Sequence, residues 1–293
     1  MAEVRAKKAL GQHFLVDLNI ARKICDALSV VPAAGSAPDR SDTSGPVLQA
    51  HPTSGPVPPA GSAASAAPAD VLEVGCGMGV LTQFLLRRDD LVLWGAEIDP
   101  ESVAYLHVHY PEFAPRLIEG DFLKMDLAAA FPRGVRIIGN FPYNISSQIF
   151  FKILEHRDLI PECVGMIQRE VAVRLAESPG SKEYGILSVL LQAWYDIEYL
   201  FTVGEKVFNP PPKVKSAVVR LRRNDTQCLD CDERLFVRVV KASFGQRRKM
   251  IRNSLRAAFG DFGGAEHPFF SRRAEQLSVD EFVELTRWVA ARL

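Results

Sequence analysis

The sequence has no uninterrupted apolar run approaching the ~20 residues that span a bilayer. Its basic opening stretch, MAEVRAKKALGQHFL, has neither the apolar core nor the small-residue cleavage site of a secretory leader. No membrane partner is expected, and a cytoplasmic address is the simplest reading. Cysteine is scarce. Cys25, Cys76, Cys163, Cys228 and Cys231 make an odd count of five in 293 residues, which does not suggest a disulfide framework. Cys228 and Cys231 form a CxxC without a second Cys or His pair at metal spacing, so a solvent-facing loop is expected there and no metal. Net charge is also absent, but the zero hides a division. Residues 1–199 hold 17 Lys+Arg against 24 Asp+Glu, and residues 200–293 hold 18 against 11. That asymmetry points the C-terminal part toward a polyanion, although charge runs are more often solvated faces.

What is present divides into distinct textures. Residues 14–30 carry Leu18, Ala21, Ile24, Cys25 and Leu28 at helical spacing, so residues 1–31 read as an N-terminal segment containing a helix. From 32 to 69, 28 of 38 residues are Pro, Ala, Gly or Ser, and TSGPV occurs at 43–47 and again at 53–57. Such a stretch buries too little apolar surface to offset its ordering entropy, and it reads as a disordered insertion without chemistry.

Beyond it, the apolar runs 71–74, 91–96, 116–118, 135–138 and 164–167 alternate with helical patterns such as 79–88 and 101–109. This alternation predicts an α/β fold, a parallel, doubly wound, Rossmann-like sheet. Runs at 193–203 and 216–222 are candidates to extend the sheet antiparallel, completing a domain over 70–223. Residues 224–293 show only helical patterns, with Val240, Phe244, Ile251, Leu255 and Phe259 close to one apolar stripe. A small all-helical C-terminal domain is expected there.

The first strand of the alternation runs into Gly75-Cys76-Gly77-Met78-Gly79. Glycines permit a sharp turn and close approach of a ligand to the main chain. Alone this is a weak signal, shared with dinucleotide-binding enzymes and with plain tight turns. The next strand ends in Glu97-Ile98-Asp99, placing an acid where ribose hydroxyls would donate to it. A third is followed by Gly120-Asp121-Phe122, with Asp121 suited to accept from an adenine amine or, equally, to cap a helix. Glycine loop, acid and acid at successive strand ends together predict a nucleoside cofactor.

After the fourth strand stands Asn140-Phe141-Pro142-Tyr143. The N6 amine of adenine is a poor nucleophile because its lone pair is delocalised into the ring. Two acceptors for its hydrogens and a flat surface for the base are what a site must supply. Asn140 offers a side-chain carbonyl and Phe141 a backbone carbonyl. Pro142 stiffens the turn, and Tyr143 offers a face for stacking worth ~1–3 kcal/mol per base. No strong base is needed, since the amine proton becomes acidic once the methyl is attached; geometry and electrostatics suffice.

With these motifs in place, the chain resembles the ribosomal RNA adenine N6,N6-dimethyltransferases of the KsgA type, which act on small-subunit rRNA. The resemblance rests on Lys8–Leu15, Val71–Gly79, Glu97–Asp99, Gly120–Phe122, Asn140–Ser146, Gln168–Gln192, Phe208–Val219 and Phe244–Leu255. It implies a class I methyltransferase sheet, S-adenosylmethionine as cofactor, and transfer of two methyl groups to each of two adjacent adenines near the 3′ end of small-subunit rRNA. It further implies a role in subunit biogenesis, with the immature 30S particle as partner of a monomer. By the resemblance, His13 and Leu15 line the methionine end of the cofactor, and Gly75 and Gly77 approach it through their backbones. Glu97 holds the ribose, Asp121 the cofactor adenine, and Asn140 sits between cofactor and target. Tyr143 and Phe208 stack on the flipped base from opposite sides. Position 141 is Phe where the family more often has Leu, and Cys76 stands where Pro is frequent. The insertion precedes the glycine loop, where relatives are shorter; it could tune cofactor entry, but a looped-out tail is the expectation.

Arg247, Arg248, Lys249, Arg252 and Arg256 fall on a predicted helix opposite the apolar stripe, placed to neutralise phosphates. Lys7 and Lys8 add charge near the expected cofactor mouth. The rivals are a large-subunit rRNA adenine methyltransferase, a non-catalytic RNA-binding assembly factor, and a small-molecule methyltransferase. The Gln168–Gln192 and Phe208–Val219 stretches look more like the small-subunit enzyme. Intact acids and the Asn140 turn speak against loss of catalysis, and the basic C-terminal half against a small substrate.

Overall fold

In a computed structural model, the structure describes residues 4, 6–7, 10–29 and 68–293. The expected insertion falls almost wholly outside the described residues; its last residue, Ala69, begins a strand. In chain order the elements are β1 (Phe14–Leu15), α1 (Leu18–Asp26), β2 (Ala69–Val74), α2 (Thr82–Leu85), β3 (Leu91–Glu97), α3 (Pro100–His109), β4 (Leu117–Glu119), α4 (Leu127–Ala130) and β5 (Arg136–Asn140). Then come α5 (Ser146–Glu155), β6 (Glu162–Gln168), α6 (Arg169–Ala176), α7 (Ile186–Gln192), β7 (Tyr195–Val203), β8 (Phe208–Asn209), β9 (Ser216–Arg223), α8 (Glu233–Gly245), α9 (Ile251–Phe259) and α10 (Val279–Ala290).

Seven strands form one sheet in the order β4-β3-β2-β5-β6-β9-β7. The first five run parallel; β9 is antiparallel to β6, and β7 is antiparallel to β9. The central strands are near-continuous apolar runs because helices cover both faces of a parallel sheet: Val71, Leu72, Ile137 and Ile138 are all fully buried. The chain goes out through β3 and β4 on one side of β2 and returns through β5 and β6 on the other. The carboxyl ends of β2 and β5 therefore flank a topological switch point, where open α/β sheets hold ligands. All the expected acids and the Asn140 turn lie along this edge.

Several boundaries move. The expected helix at 79–88 shrinks to α2, with turns on either side. The last antiparallel segment starts at Tyr195 rather than 193, because Ala193 and Trp194 close the turn that ends α7. In α1, Ala21, Ile24 and Cys25 face the core, but Leu18 is 51% exposed. The single stripe expected at 240–259 lies on two helices, α8 and α9, separated by a turn at 246–250. Their apolar faces still meet, since Val240, Phe244, Ile251 and Leu255 join the cluster that contains Leu72, Phe236 and Leu285. The helical C-terminal segment thus shares its core with the sheet.

The two described ends that border residues 30–67 are fixed far from the switch point. Ser29 donates through its backbone N–H and its hydroxyl to Glu162, at the amino end of β6, at 3.1 and 2.8 Å. The Ala69 N–H donates to Asp90 just ahead of β3. Both anchors lie at the amino ends of the strands, opposite the cavity. Replacing residues 32–67 with a short Gly/Ser linker is expected to leave the Kd for S-adenosylmethionine within ~2-fold, because both anchors stay in place and closure entropy changes only slowly with the length between them. Calorimetric titration of the two proteins checks this.

Candidate active site

The strand ends enclose a cavity lined by the glycine loop, Glu97, Asp121 and the Asn140–Ile145 turn, and roofed by Leu10–Leu15. The loop after β2 turns at Gly75 (φ +75°) and Gly77 (φ +53°), a left-handed backbone that a side chain would strain. A Cβ on Gly77 would also press on the Phe14 ring at 3.1 Å, so the roof packs directly on the loop.

Glu97 is 4% exposed, and its carboxylate ties the loop to the end of β3. It accepts from the Gly77 N–H and the Asp99 N–H, both at 2.8 Å. Each oxygen keeps a further lone pair, and the residue lines the cavity. Burial pushes this carboxyl above the usual carboxylate range against the pull of those backbone bonds. Beneath it, burial pushes Glu73 up to about 8, although Thr82 donates to it at 2.6 Å. Cys76 is buried and its thiol raised well above normal by desolvation, which leaves it inert.

Asp121 takes the capping role read for it. One oxygen caps the following turn by accepting from the Leu123 N–H at 2.9 Å. The carboxylate, 27% exposed, also borders the cavity, and its second oxygen lies 4.0 Å from Lys124 Nζ.

Asn140 ends β5. Its Nδ2 donates to the backbone carbonyl of His13 at 2.9 Å. A carbonyl can only accept, so this bond fixes the amide orientation and leaves Oδ1 as an acceptor. The Phe141 N–H is spent on the Met166 carbonyl at 3.0 Å, and among the described residues none donates to the Phe141 carbonyl. The Phe141 ring is 1% exposed and turned into the core, edge-on to Phe150 at 6.0 Å. A larger ring here than the family's common Leu therefore touches packing, not the carbonyl's chemistry. Tyr143 is held by its hydroxyl against Ser216 at 2.5 Å and lies 5.3 Å from the His13 ring, tilted by 31°.

The roof is latched at several points. Lys7 pairs with Asp99 and, at 3.1 Å, with Glu101. Gln12 Nε2 donates to Asp99 at 3.4 Å, and His13 Nδ1–H donates to the Pro210 carbonyl at 2.8 Å. Burial would raise the Asp99 carboxyl, but bonds from Lys7, Gln12 and Ser102 outweigh it and leave it below the usual range. Leu15 pairs with Phe208 across the β1–β8 ladder.

That pairing corrects one expectation. Phe208 is 4% exposed within an apolar cluster and does not line the cavity. Of the expected stacking pair, Tyr143 alone lines the cavity. The basic residues are redistributed as well. Lys7 is spent on the roof latch, and Lys8 lies outside the described residues. The string at 246–249 forms a turn between α8 and α9 rather than a helix face. Arg247 donates to the carbonyls of Lys182 and Tyr184, Arg252 pairs with Glu266, and Arg256 with Asp261 at 3.3 Å. Arg248 and Lys249 are exposed and unpaired among the described residues. Sequence reasoning missed Gln12, Asp99 and Ser216, whose partners are distant in the chain. Among the described residues no helix is long and apolar enough to cross a membrane, and no cluster fits a metal ion.

The family model described as ribosomal RNA adenine dimethylase matches residues 3–289. The chain is 53% identical over 288 residues to "Ribosomal RNA small subunit methyltransferase A" of Parabacteroides distasonis, covering 98% of this chain and 94% of that one. It is 52% identical over 291 residues to the protein of the same name from Bacteroides thetaiotaomicron, covering 99% and 96%. Among solved structures, a dimethyladenosine transferase from Plasmodium falciparum superposes with a TM-score of 0.63 at 25% identity, covering 78% of this chain and 93% of that one. The 23S rRNA methyltransferase ErmE shares the fold, with a TM-score of 0.58 at 23% identity, covering 92% and 99%. Matched by the family model along almost its whole length, the chain belongs to the ribosomal RNA adenine dimethylase family.

Proposed function

We propose that this chain is an S-adenosylmethionine-dependent dimethyltransferase acting on N6 of two adjacent adenines near the 3′ end of small-subunit rRNA. The observation that carries the chemistry is the Asn140 amide, which His13 orients so that Oδ1 and the Phe141 carbonyl are the acceptors left for an amine. The small-subunit target is supported by relatives of that name at 52–53% identity. The likeness to ErmE, at 23% identity, speaks only to the fold.

The cavity suits the cofactor by its donors and acceptors. Gly75 and Gly77 would bring main-chain atoms against it, Glu97 would accept from the ribose, and Asp121 from the adenine amine. His13 and Leu15, in the roof, would close over the methionine end. Bound there, S-adenosylmethionine supplies an electrophilic methyl on a sulfonium. Asn140 and Phe141 would hold the two amine hydrogens of the target and favour a nitrogen nearer to tetrahedral. Pro142 stiffens the turn between these acceptors and Tyr143, whose ring, pinned by Ser216, is the stacking surface. No residue needs to act as a strong base, because the amine proton acidifies as the methyl arrives. Extruding a stacked base costs a few kcal/mol, less in a loop or single strand.

We place the RNA contact of the helical segment on Arg248 and Lys249, with the immature 30S particle as partner, the protein acting as a monomer in the cytoplasm. The double substitution Arg248→Ala/Lys249→Ala is expected to lower the slope of log affinity against log salt by roughly 1.5, at ~0.7–0.9 per phosphate contact. Arg247→Ala should leave that slope unchanged and lower Tm, since its bonds go to Lys182 and Tyr184. Filter binding at several salt concentrations separates the two. The overall reading is tested by incubating the protein with immature small subunits and labelled S-adenosylmethionine, then digesting the rRNA. N6,N6-dimethyladenosine at two adjacent positions is expected; small-subunit rRNA left without label would overturn it.

A further inference from the structure

Lys152, in the last turn of α5, is 9% exposed. Among the described residues it has no carboxylate partner. Its ammonium donates instead to two main-chain carbonyls, Leu123 at 3.1 Å and Met125 at 2.6 Å. It also sits 5.7 Å from the centre of the Phe122 ring. A buried cation without a counter-charge is costly, and here its bonds all converge on one short loop.

That loop is the one that carries Asp121. Leu123 is gripped from both sides: its N–H is held by the Asp121 carboxylate at 2.9 Å and its carbonyl by Lys152. Phe122 and Leu123 line the cavity beside Asp121. The helix that supplies Lys152 begins at Ser146, directly after the Asn140–Ile145 turn. One side chain therefore ties the helix that follows the base-binding turn to the loop expected to read the cofactor's adenine.

We propose that Lys152 is a positioning residue for cofactor recognition, holding the Asp121–Met125 loop in the shape that aims Asp121 at the adenine amine. The inference rests on the reading of Asp121 given above. Lys152 touches neither substrate nor cofactor, and its effect passes through the two carbonyls and the Leu123 N–H. Methionine at 152 would keep most of the apolar stem and remove both bonds. Arginine would keep the cation and reach carbonyls at a similar distance.

The test compares Kd values, by calorimetry, for S-adenosylhomocysteine and S-inosylhomocysteine, which differ at the position facing Asp121. The wild-type chain is expected to prefer the adenine compound by ~10-fold or more, the range of a hydrogen bond to a charged group. Lys152→Met should reduce that preference to ~3-fold or less, and Lys152→Arg should restore most of it. A purely structural role would weaken both ligands alike and leave their ratio at the wild-type value, which overturns the proposal. Should Lys152→Met fail to fold, Lys152→Gln, which can still satisfy one carbonyl, is expected to give an intermediate ratio; a wild-type ratio there overturns the proposal equally. A wild-type protein that shows no preference, together with an unchanged Asp121→Asn variant, would instead remove the Asp121 reading, and this inference with it.

Discussion

Asn140→Ala should lower the single-turnover rate of methyl transfer by ~10²–10³-fold, the range seen when one preorganised polar group is removed from a reacting centre. The alanine variant loses Oδ1, one of the two acceptors proposed for the target amine, and loses the Nδ2 bond to the His13 carbonyl. The second loss loosens the roof, and a net hydrogen bond of ~0.5–1.5 kcal/mol corresponds to a drop of ~2–10-fold in cofactor affinity. RNA affinity should not change, since no phosphate contact is placed on this residue. Asn140→Asp separates the two roles. It keeps an oxygen toward the cavity but sets the other against the His13 carbonyl, so cofactor binding should suffer more and the rate less than in the alanine variant. Rates measured with saturating enzyme, alongside titrations of cofactor and RNA, give the comparison. An alanine variant within ~10-fold of the wild-type rate would remove Asn140 from the reacting centre.

The same residue shows what the sequence does and does not disclose. Asn140, the glycine loop, Glu97 and Asp121 were legible because each directly follows an apolar run that could only be a buried strand. Parallel strands bring such positions to one edge whatever lies between them. The side-chain orientations were not legible. Nothing in the spacing says that His13, 127 positions away, turns the Asn140 amide, or that Gln12 and Lys7 close on Asp99. The cations mislead for a similar reason. Arg247 and Arg252 have the look of a phosphate-binding face, but a guanidinium satisfied by carbonyls or by Glu266 has the same sequence signature as one waiting for RNA. Lys152 looks like an ordinary surface charge on an amphipathic helix, yet it is buried. Phe208 lies in a stretch that matches the family, but its pairing with Leu15 turns the ring into the core.

Gly165→Ala tests how far core packing governs the second acceptor. Gly139 and Gly165 are direct partners across β5 and β6, and the Phe141 ring lies over the pair. A Cβ on Gly165 would fall 2.5 Å from Phe141 Cε2 and 3.0 Å from Cδ2, and one on Gly139 would fall 2.8 Å from Cε1. The ring has Phe150 edge-on beside it, so it cannot yield without moving its own backbone. Overpacking of this kind costs about 1–3 kcal/mol, read as a fall in Tm. The larger consequence should be kinetic: the Phe141 carbonyl shifts with the ring, and a ~1 Å misplacement of a reacting geometry can cost ~10²-fold in rate. The double variant Gly165→Ala/Phe141→Leu removes the ring atoms that collide with the new methyl. It should recover most of the rate and of the Tm, which a general loss of sheet stability would not allow. A single variant with the wild-type rate would show that the carbonyl's position is set by the turn alone. A double variant as slow as the single one would show that the methyl acts through the strands rather than through the ring.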